Sequence, residues 1–310
     1  MTGATETEPM RIQIINAPLD LGASRRGTDA GPSGFRIAGL HGAIERLGHT
    51  VLPDIDIVVP TATSADPGSA RARFRTEILA VCKELAERTR DALEAGTLPL
   101  VIGGDHSISM GSVSGAADHF RRRGEPLGVI WFDAHGDMNL PETSPSGNVH
   151  GMPLAHLLGH GDPELAGLLG HSPALRPENV VLVGLRDIDR KERDFINASG
   201  VTAFTMRDID QLGMVEVSSR AREIASRNTA GYHLSFDLDG CDPAVIPGSG
   251  TLVPGGVNLR EAHLFLEDCA LDGGMTSMDV VELNPFIDHA NISAERAVVF
   301  VQSALGRQIL

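Results

Sequence analysis

What most limits how this chain can fold is an alternation of short apolar runs with longer helix-patterned stretches, sustained along nearly its whole length. The runs are residues 11–17, 98–102, 127–132, 180–183, 231–236 and 276–283. Helix-like stretches occupy 70–95, 107–123, 190–198, 216–227 and 259–271, and a last one covers 294–305. Strands this apolar have both faces buried, and the helical stretches between them are long enough to carry crossovers. The pattern predicts an α/β fold of three α/β/α layers around a mostly parallel sheet. Pro/Gly/Ser-rich stretches such as 60–69 and 242–256 are only loop-sized, and no repeat or low-complexity linker divides the chain. Residues 1–310 are therefore expected to form one domain, with 1–9 as a flexible N-terminal tail.

Open parallel sheets bind ligands at the carboxyl ends of their strands, so the polar residues just after each run matter most. Gly103-Gly104-Asp105-His106-Ser107 follows the second run, Asp133-Ala134-His135-Gly136-Asp137 the third, and Asp237-Leu238-Asp239-Gly240 the fifth. In extended backbone, residues two apart share a face. Asp133, His135 and Asp137 thus point together, as do Asp237 and Asp239; His106 joins them at the same sheet edge. A lone Asp or His at a strand end is usually a cap or turn former, and Asp105 reads that way. Four carboxylates and two imidazoles converging on one edge are different, because the carboxylates repel unless cations neutralise them. Two divalent ions about 3.5–4 Å apart use such a set through bridging carboxylates. Oxygen-rich ligation with two imidazoles and no thiolate favours manganese over zinc and leaves iron or cobalt as alternatives for the same shell. Gly103 and Gly104 read as a loop needing unusual backbone angles or close approach.

These three stretches, and nearly the whole chain with them, resemble the ureohydrolase family. The resemblance implies two Mn2+ per chain and no organic cofactor. His106, Asp133, Asp137 and Asp237 would hold one ion; Asp133, His135, Asp237 and Asp239 would hold the other. After the second motif comes Asn139-Leu-Pro-Glu-Thr-Ser144-Pro-Ser146-Gly-Asn148-Val-His150-Gly. It is similar to the bacterial arginase branch, in which this loop offers neutral donors to the substrate's α-carboxylate. Asn139, Ser144, Ser146 and Asn148 carry over to that role. Gly184-Leu-Arg-Asp-Ile-Asp189-Arg-Lys-Glu192 matches too, with Asp189 and Glu192 facing the α-ammonium; so do Gly250-Thr251, whose threonine carries over as a substrate contact, Gly31-Pro32 and the ending Gly306-Arg-Gln-Ile-Leu310. Val281-Glu282-Leu-Asn-Pro285 matches the segment whose glutamate pairs with the guanidinium. Leu140, Cys241 and Leu252 depart from the pattern without removing a ligand or proton carrier.

What the resemblance implies is hydrolysis of L-arginine to L-ornithine and urea by a hydroxide bridging two manganese ions. Glu282 would orient the guanidinium, a group that stays charged in proteins. Asp137 would carry a proton from the hydroxide to the departing nitrogen, and His150, with a near-neutral ordinary pKa, would shuttle protons. Homotrimers or homohexamers are implied as well. Read by residue type alone, Asn and Ser in a loop are more often turn formers, His150 a satisfied structural histidine and Glu282 a salt-bridge partner. His156, His160, His171 and His233 show no ligand pattern and read as structural or solvated.

Two rivals follow. Another ureohydrolase would act on agmatine, guanidinobutyrate or formimidoylglutamate, but Ser146, Asn148 and Asp189 suit a substrate with both α-substituents. A catalytically silent arginine or metal sensor would have lost a ligand, His150 or Glu282, and all are present. A dinucleotide site is excluded because no G-x-G-x-x-G follows the first run. The formal charge of -15 argues against nucleic acid and anionic membrane as partners, both of which need a basic face. Cys82, Cys241 and Cys269 form no CxxC pair, which speaks against a disulfide framework or zinc knuckle. With no signal-like N-terminus and no apolar run near the roughly 20 residues a bilayer requires, a cytoplasmic location is expected.

Overall fold

In the computed structural model, which describes residues 8–307, all strand pairs run parallel and join one sheet. The strands are β1 (Arg11–Ala17), β2 (Thr50–Val51), β3 (Ile55–Asp56), β4 (Leu98–Gly103), β5 (Gly128–Phe132), β6 (Val180–Leu185), β7 (Thr202–Thr205), β8 (Tyr232–Asp237) and β9 (Met275–Val281). Their order is β2-β1-β4-β9-β8-β5-β6-β7, with β3 paired to the far end of β1. The chain thus places its late strands β8 and β9 between β4 and β5, and these four neighbours carry the three polar motifs at their carboxyl ends.

Period-two alternation assigns the layers. On one face Ile14, Ile102, Val280, Phe236, Phe132 and Val183 join a continuous core with the helices Leu40–Glu45, Met214–Ser226, Leu259–Asp272 and Ile292–Ala304. On the other face, besides a small cluster of Ala116, Ala117, Phe120 and Leu127, apolar packing comes in two main patches. One packs β1 and β4 on the helix Arg75–Glu94, and the other packs β5 and β6 around Leu154, Leu157 and Ile196. Between the patches β8 and β9 present His233, Ser235, Asp237, Ser277 and Asp279, all buried. They lie beneath the helix Ser109–Arg121, which is buried through Phe120. Buried polar groups need partners, so this strip is where structure and chemistry meet.

The sheet is wholly parallel rather than mostly so, and three strands are additional to the six runs. β2 and β3 have two residues each and β7 has four, too few for a hydrophobic period to declare itself. The stretch expected to be helical over 70–95 becomes helix only at Arg75, because Phe74 takes a left-handed conformation (φ 55). Gly104 is needed for close approach, not for unusual angles: a Cβ there would lie 1.8 Å from the Leu19 carbonyl oxygen. Cys82, Cys241 and Cys269 are buried free thiols. Of the expected 1–9 tail, residues 1–7 lie outside the described residues, as does the end of the matching stretch 306–310. No helix among the described residues is long and apolar enough to cross a membrane.

Candidate metal centre

Register brings the motifs together. Ile102 pairs with Val280, Val280 with Phe236, and Phe236 with Phe132, so one line of residues crosses four strands and faces the continuous core. The next residues therefore face the other way. Asp237 ends β8 and Asp133 follows β5. Asp137 and Glu282 point inward on left-handed backbones (φ 51 and 65), a conformation that costs a non-glycine residue on the order of 1 kcal/mol. The Glu282 N–H donates to the Gly104 carbonyl at 2.8 Å, which ties the ends of β9 and β4 together.

His106 Nδ1 lies 3.1, 3.0 and 3.0 Å from carboxylate oxygens of Asp133, Asp137 and Asp237, yet it has no hydrogen-bond partner. The other ring nitrogen explains why. Asp279 is held as a carboxylate: burial opposes this, but His233 outweighs it and lowers the pKa. A carboxylate only accepts, so Ser235 donates its hydroxyl proton to Asp279 at 2.7 Å and accepts from His106 Nε2–H at 2.8 Å. That leaves Nδ1 aimed at three carboxylate oxygens with no hydrogen bond of its own among the described residues. Four electron-rich atoms in one small space make a cation cage, with Ser235 fixing the tautomer of its imidazole.

A second cage adjoins the first. Asp133, His135 and Asp239 offer one ligand atom each within 4.8 Å of one another. Asp133 belongs to both cages, Oδ2 facing His106 and Oδ1 facing His135. Neighbouring donors hold these carboxylates in place: Trp131 Nε1–H on Asp133 at 3.0 Å, Thr251 hydroxyl on Asp239 at 2.6 Å, and the Asp239 N–H on Asp237 at 2.7 Å. Electrostatically the cluster lacks positive charge. Burial, reinforced by Asp239 and Asp133, raises the Asp237 pKa well above its ordinary value. Burial, with Asp133 adding to it, pushes Asp137 up to about 6. Burial opposes charge on His106 too, but the surrounding carboxylates outweigh it and raise that pKa well above normal. The donor set fits divalent cations, since each carboxylate pair that resists ionising together is one that a metal would relieve.

A cleft of about 110 Å³ opens over the cages, lined by Asp137, Asn139, His150, Glu192 and Thr251 among others. Glu282 is buried beside it; one of its oxygens accepts from the His106 N–H and from His150 Nδ1, both at 2.9 Å. Burial works against the Glu282 carboxylate, and His150 more than compensates, lowering its pKa. Burial likewise works against charge on His150, and Glu282 raises it to about 9. Asn139 lines the cleft, but its amide already donates to Asp189 at 2.8 Å. Asp189 also caps the helix Arg190–Ser199 by accepting from the Lys191 and Glu192 N–H groups. Glu192 is buried, accepts from the Met138 N–H at 2.9 Å, and is pushed up by that burial to about 8. The Thr251 hydroxyl is committed to Asp239. Ser144 and Ser146 accept the N–H groups of Gly147 and Asn148. These two serines, Asn148 and Asp189 are not among the residues lining the cleft. The first three stand partly or fully exposed in the loop between Asn139 and His150, which do line it, and that loop forms the outer lip.

Sequence reasoning passed over several participants. Ser235, Asp279 and Ser112 form the buried relay behind His106, and Trp131 stacks on its ring at 4.2 Å between centroids. His233 is structural rather than solvated, fully buried between Ser277 and Asp279. Asp105 lies outside the cages and accepts from the Ser107 and Gly22 N–H groups. A signal existed: polar residues at every second position of strands otherwise read as buried.

Comparison with known proteins agrees with this geometry. The sequence model of the arginase family matches residues 10–306. The arginase of Bacillus caldovelox is 44% identical over 300 residues, 96% of this chain and 99% of its own. That of Staphylococcus aureus (strain COL) is 44% identical over 307 residues, covering 98% and 100%. The solved native structure of the Bacillus caldovelox arginase at pH 5.6 superposes with a TM-score of 0.93 over 97% of this chain and 100% of that one. The Entamoeba histolytica arginase in complex with L-ornithine gives 0.89 at 32% identity, over 96% and 99%.

Proposed function

The chain belongs to the arginase family and is a metal-dependent ureohydrolase for which L-arginine is the implied substrate; we propose that it makes L-ornithine and urea at two manganese ions. His106, Asp133, Asp137 and Asp237 would hold one ion, and Asp133, His135, Asp237 and Asp239 would hold the other. The ions would supply Lewis acidity and bring the ionisation of water near neutral pH. The observation that carries this reading is the buried Nδ1 of His106, without a hydrogen bond and within 3.1 Å of three carboxylates, with Asp133 shared by the adjoining cage.

The chain's own residues then divide the remaining work. Glu282, held as a carboxylate, pairs with the guanidinium and presents its carbon to the water below, replacing a chance encounter with a positioned one. Asp137 accepts the proton released as the C–O bond forms and returns it to the departing nitrogen as the C–N bond breaks. His150 carries a proton between solvent and the ornithine side. Asn139, Ser144, Ser146 and Asn148 receive the α-carboxylate, Asp189 and Glu192 the α-ammonium, and Thr251 contributes by steadying Asp239. We read residues 1–310 as one catalytic domain, active in the cytoplasm as a homotrimer or homohexamer. The test is urea and ornithine release, in equal amounts, from L-arginine by the manganese-loaded protein. Absence of urea at two bound ions per chain would overturn the reading.

A further inference from the structure

We propose that Arg73 sets the selectivity of the site for substrates bearing an α-carboxylate, by fixing which end of the Asn148 amide is offered to them. The inference rests on the arginine-hydrolysing reading above. Arg73 stands just before the left-handed Phe74 that delays the helix, in a segment held against the substrate loop by main-chain contact. Its N–H donates to the Gly147 carbonyl at 3.1 Å. Gly147 has φ 69, and a Cβ on it would lie 1.9 Å from the Ala70 carbonyl oxygen. The two segments therefore meet backbone to backbone, and the loop cannot shift without the residues around Arg73.

Hydrogen-bond direction does the rest. The Arg73 guanidinium donates to Asn148 Oδ1 and, at 2.6 Å, to Ser24 Oγ. Ser24 in turn donates its own proton to Asn148 Oδ1 at 3.0 Å. A guanidinium has no acceptor, so a flipped Asn148 would set its N–H2 against N–H donors. The amide oxygen is thus locked toward Arg73. Among the described residues the Asn148 Nδ2 has no partner within the chain, so its donors remain for a ligand. Ser144 and Ser146 accept main-chain N–H groups and share one hydroxyl proton between them at 3.5 Å, which leaves the other hydroxyl proton to be donated. The lip becomes a row of donors, and the ligand group that matches donors only is a carboxylate. Arg73 adds a half-buried positive charge behind that row.

Agmatine is arginine without the carboxylate, so the ratio of kcat/KM on the two substrates isolates this effect. We expect R73A to raise KM for L-arginine by about 5–10-fold with kcat within about twofold, while kcat/KM for agmatine stays within about twofold. The arginine-to-agmatine preference then falls by about 5–10-fold. R73K, which keeps a donor but not the planar fork, should restore part of it, and S24A should lose less than R73A. Equal losses on both substrates, the mark of a merely structural residue, would overturn the proposal; so would an unchanged ratio. Should R73A not fold, R73K and S24A carry the same ratio test. A wild-type enzyme with no preference for arginine would instead sink the functional reading itself, whereas a wild-type preference kept intact in R73A sinks only this inference.

Discussion

Beneath the cleft, His106, Asp133, Asp137, Asp237 and Asp239 sit buried at the ends of β4, β5 and β8, or just past them, braced by a second layer of side chains. Above it, Ser144, Ser146 and Asn148 lie in a loop whose hydrogen bonds are half in water. The floor is set by strand register, which a single residue's slip would destroy entirely. The lip is set by a handful of local donors and acceptors, each replaceable. Errors in the floor should therefore abolish chemistry, and errors in the lip should only blur the choice of substrate.

The most severe test of that contrast is Asp237→Ala. Loss of this carboxylate should cost on the order of 10³-fold or more in kcat and at least one metal ion per chain by elemental analysis. Full activity with a single ion would show the floor to be dispensable in part. Next comes substrate choice at the lip. Buried donors left without a carboxylate reject the analogue strongly, but a wet lip softens this, so L-arginine should exceed agmatine in kcat/KM by about 10²-fold or more. Parallel urea assays decide it, and parity between the two would remove the lip's assigned role while sparing the metal site.

A subtler blow to the floor is Ser235→Ala, which removes the acceptor holding His106 Nε2–H. Manganese titration should show affinity weakened by about 10–100-fold with the secondary structure unchanged by circular dichroism. Unaltered affinity would mean that Trp131 stacking alone orients the imidazole. The smallest effect lies outside both regions, at Asp162, which caps the helix Pro163–Ala166 and pairs with Arg75 at 2.8 Å. Burial works against its charge, but Arg75 prevails and lowers its pKa. Its contribution is complete above the unfolded carboxylate value of about 3.9 and is lost as pH falls through the lower folded one. Asp162→Asn should cost about 1 kcal/mol at pH 7, roughly a few degrees in apparent Tm. The gap between variant and parent should close once the pH falls below the lowered folded-state value of Asp162; a gap that persists in fully protonating acid would assign the loss to packing.

Floor and lip also differ in how far the chain reveals them. That Asp133, His135, Asp137, Asp237 and Asp239 converge could be read from residue types at strand ends, but the expected period of two is not what aligns them. Residues 133–137 lie beyond β5, Asp137 is left-handed, and Asp239 sits in the 3-10 turn Leu238–Gly240. The four central strands were likewise visible as apolar runs. The two-residue β2 and β3 carry no period, and pairing alone defines them. Asn139, Ser144, Ser146 and Asn148 were reached only through family resemblance, since nothing in a loop's composition says which way an amide points. Arg73 was hidden further, inside a stretch that reads as helix until the left-handed Phe74 interrupts it. Ser235 and Asp279 were legible in principle but passed over, as buried polar residues one step behind an obvious ligand.

Trp131 is the sole tryptophan of the chain. Its indole lies flat on His106 (interplanar angle 10°) and donates to Asp133, so it touches one cage and the carboxylate common to both. Whatever light the protein emits from tryptophan therefore originates at the metal floor, without background from elsewhere. The fold has placed an optical gauge where occupancy changes the charge on both of its neighbours. Stepwise filling, displacement by a chelator and the rates of each can be followed in solution on the unlabelled protein, before any substrate is added.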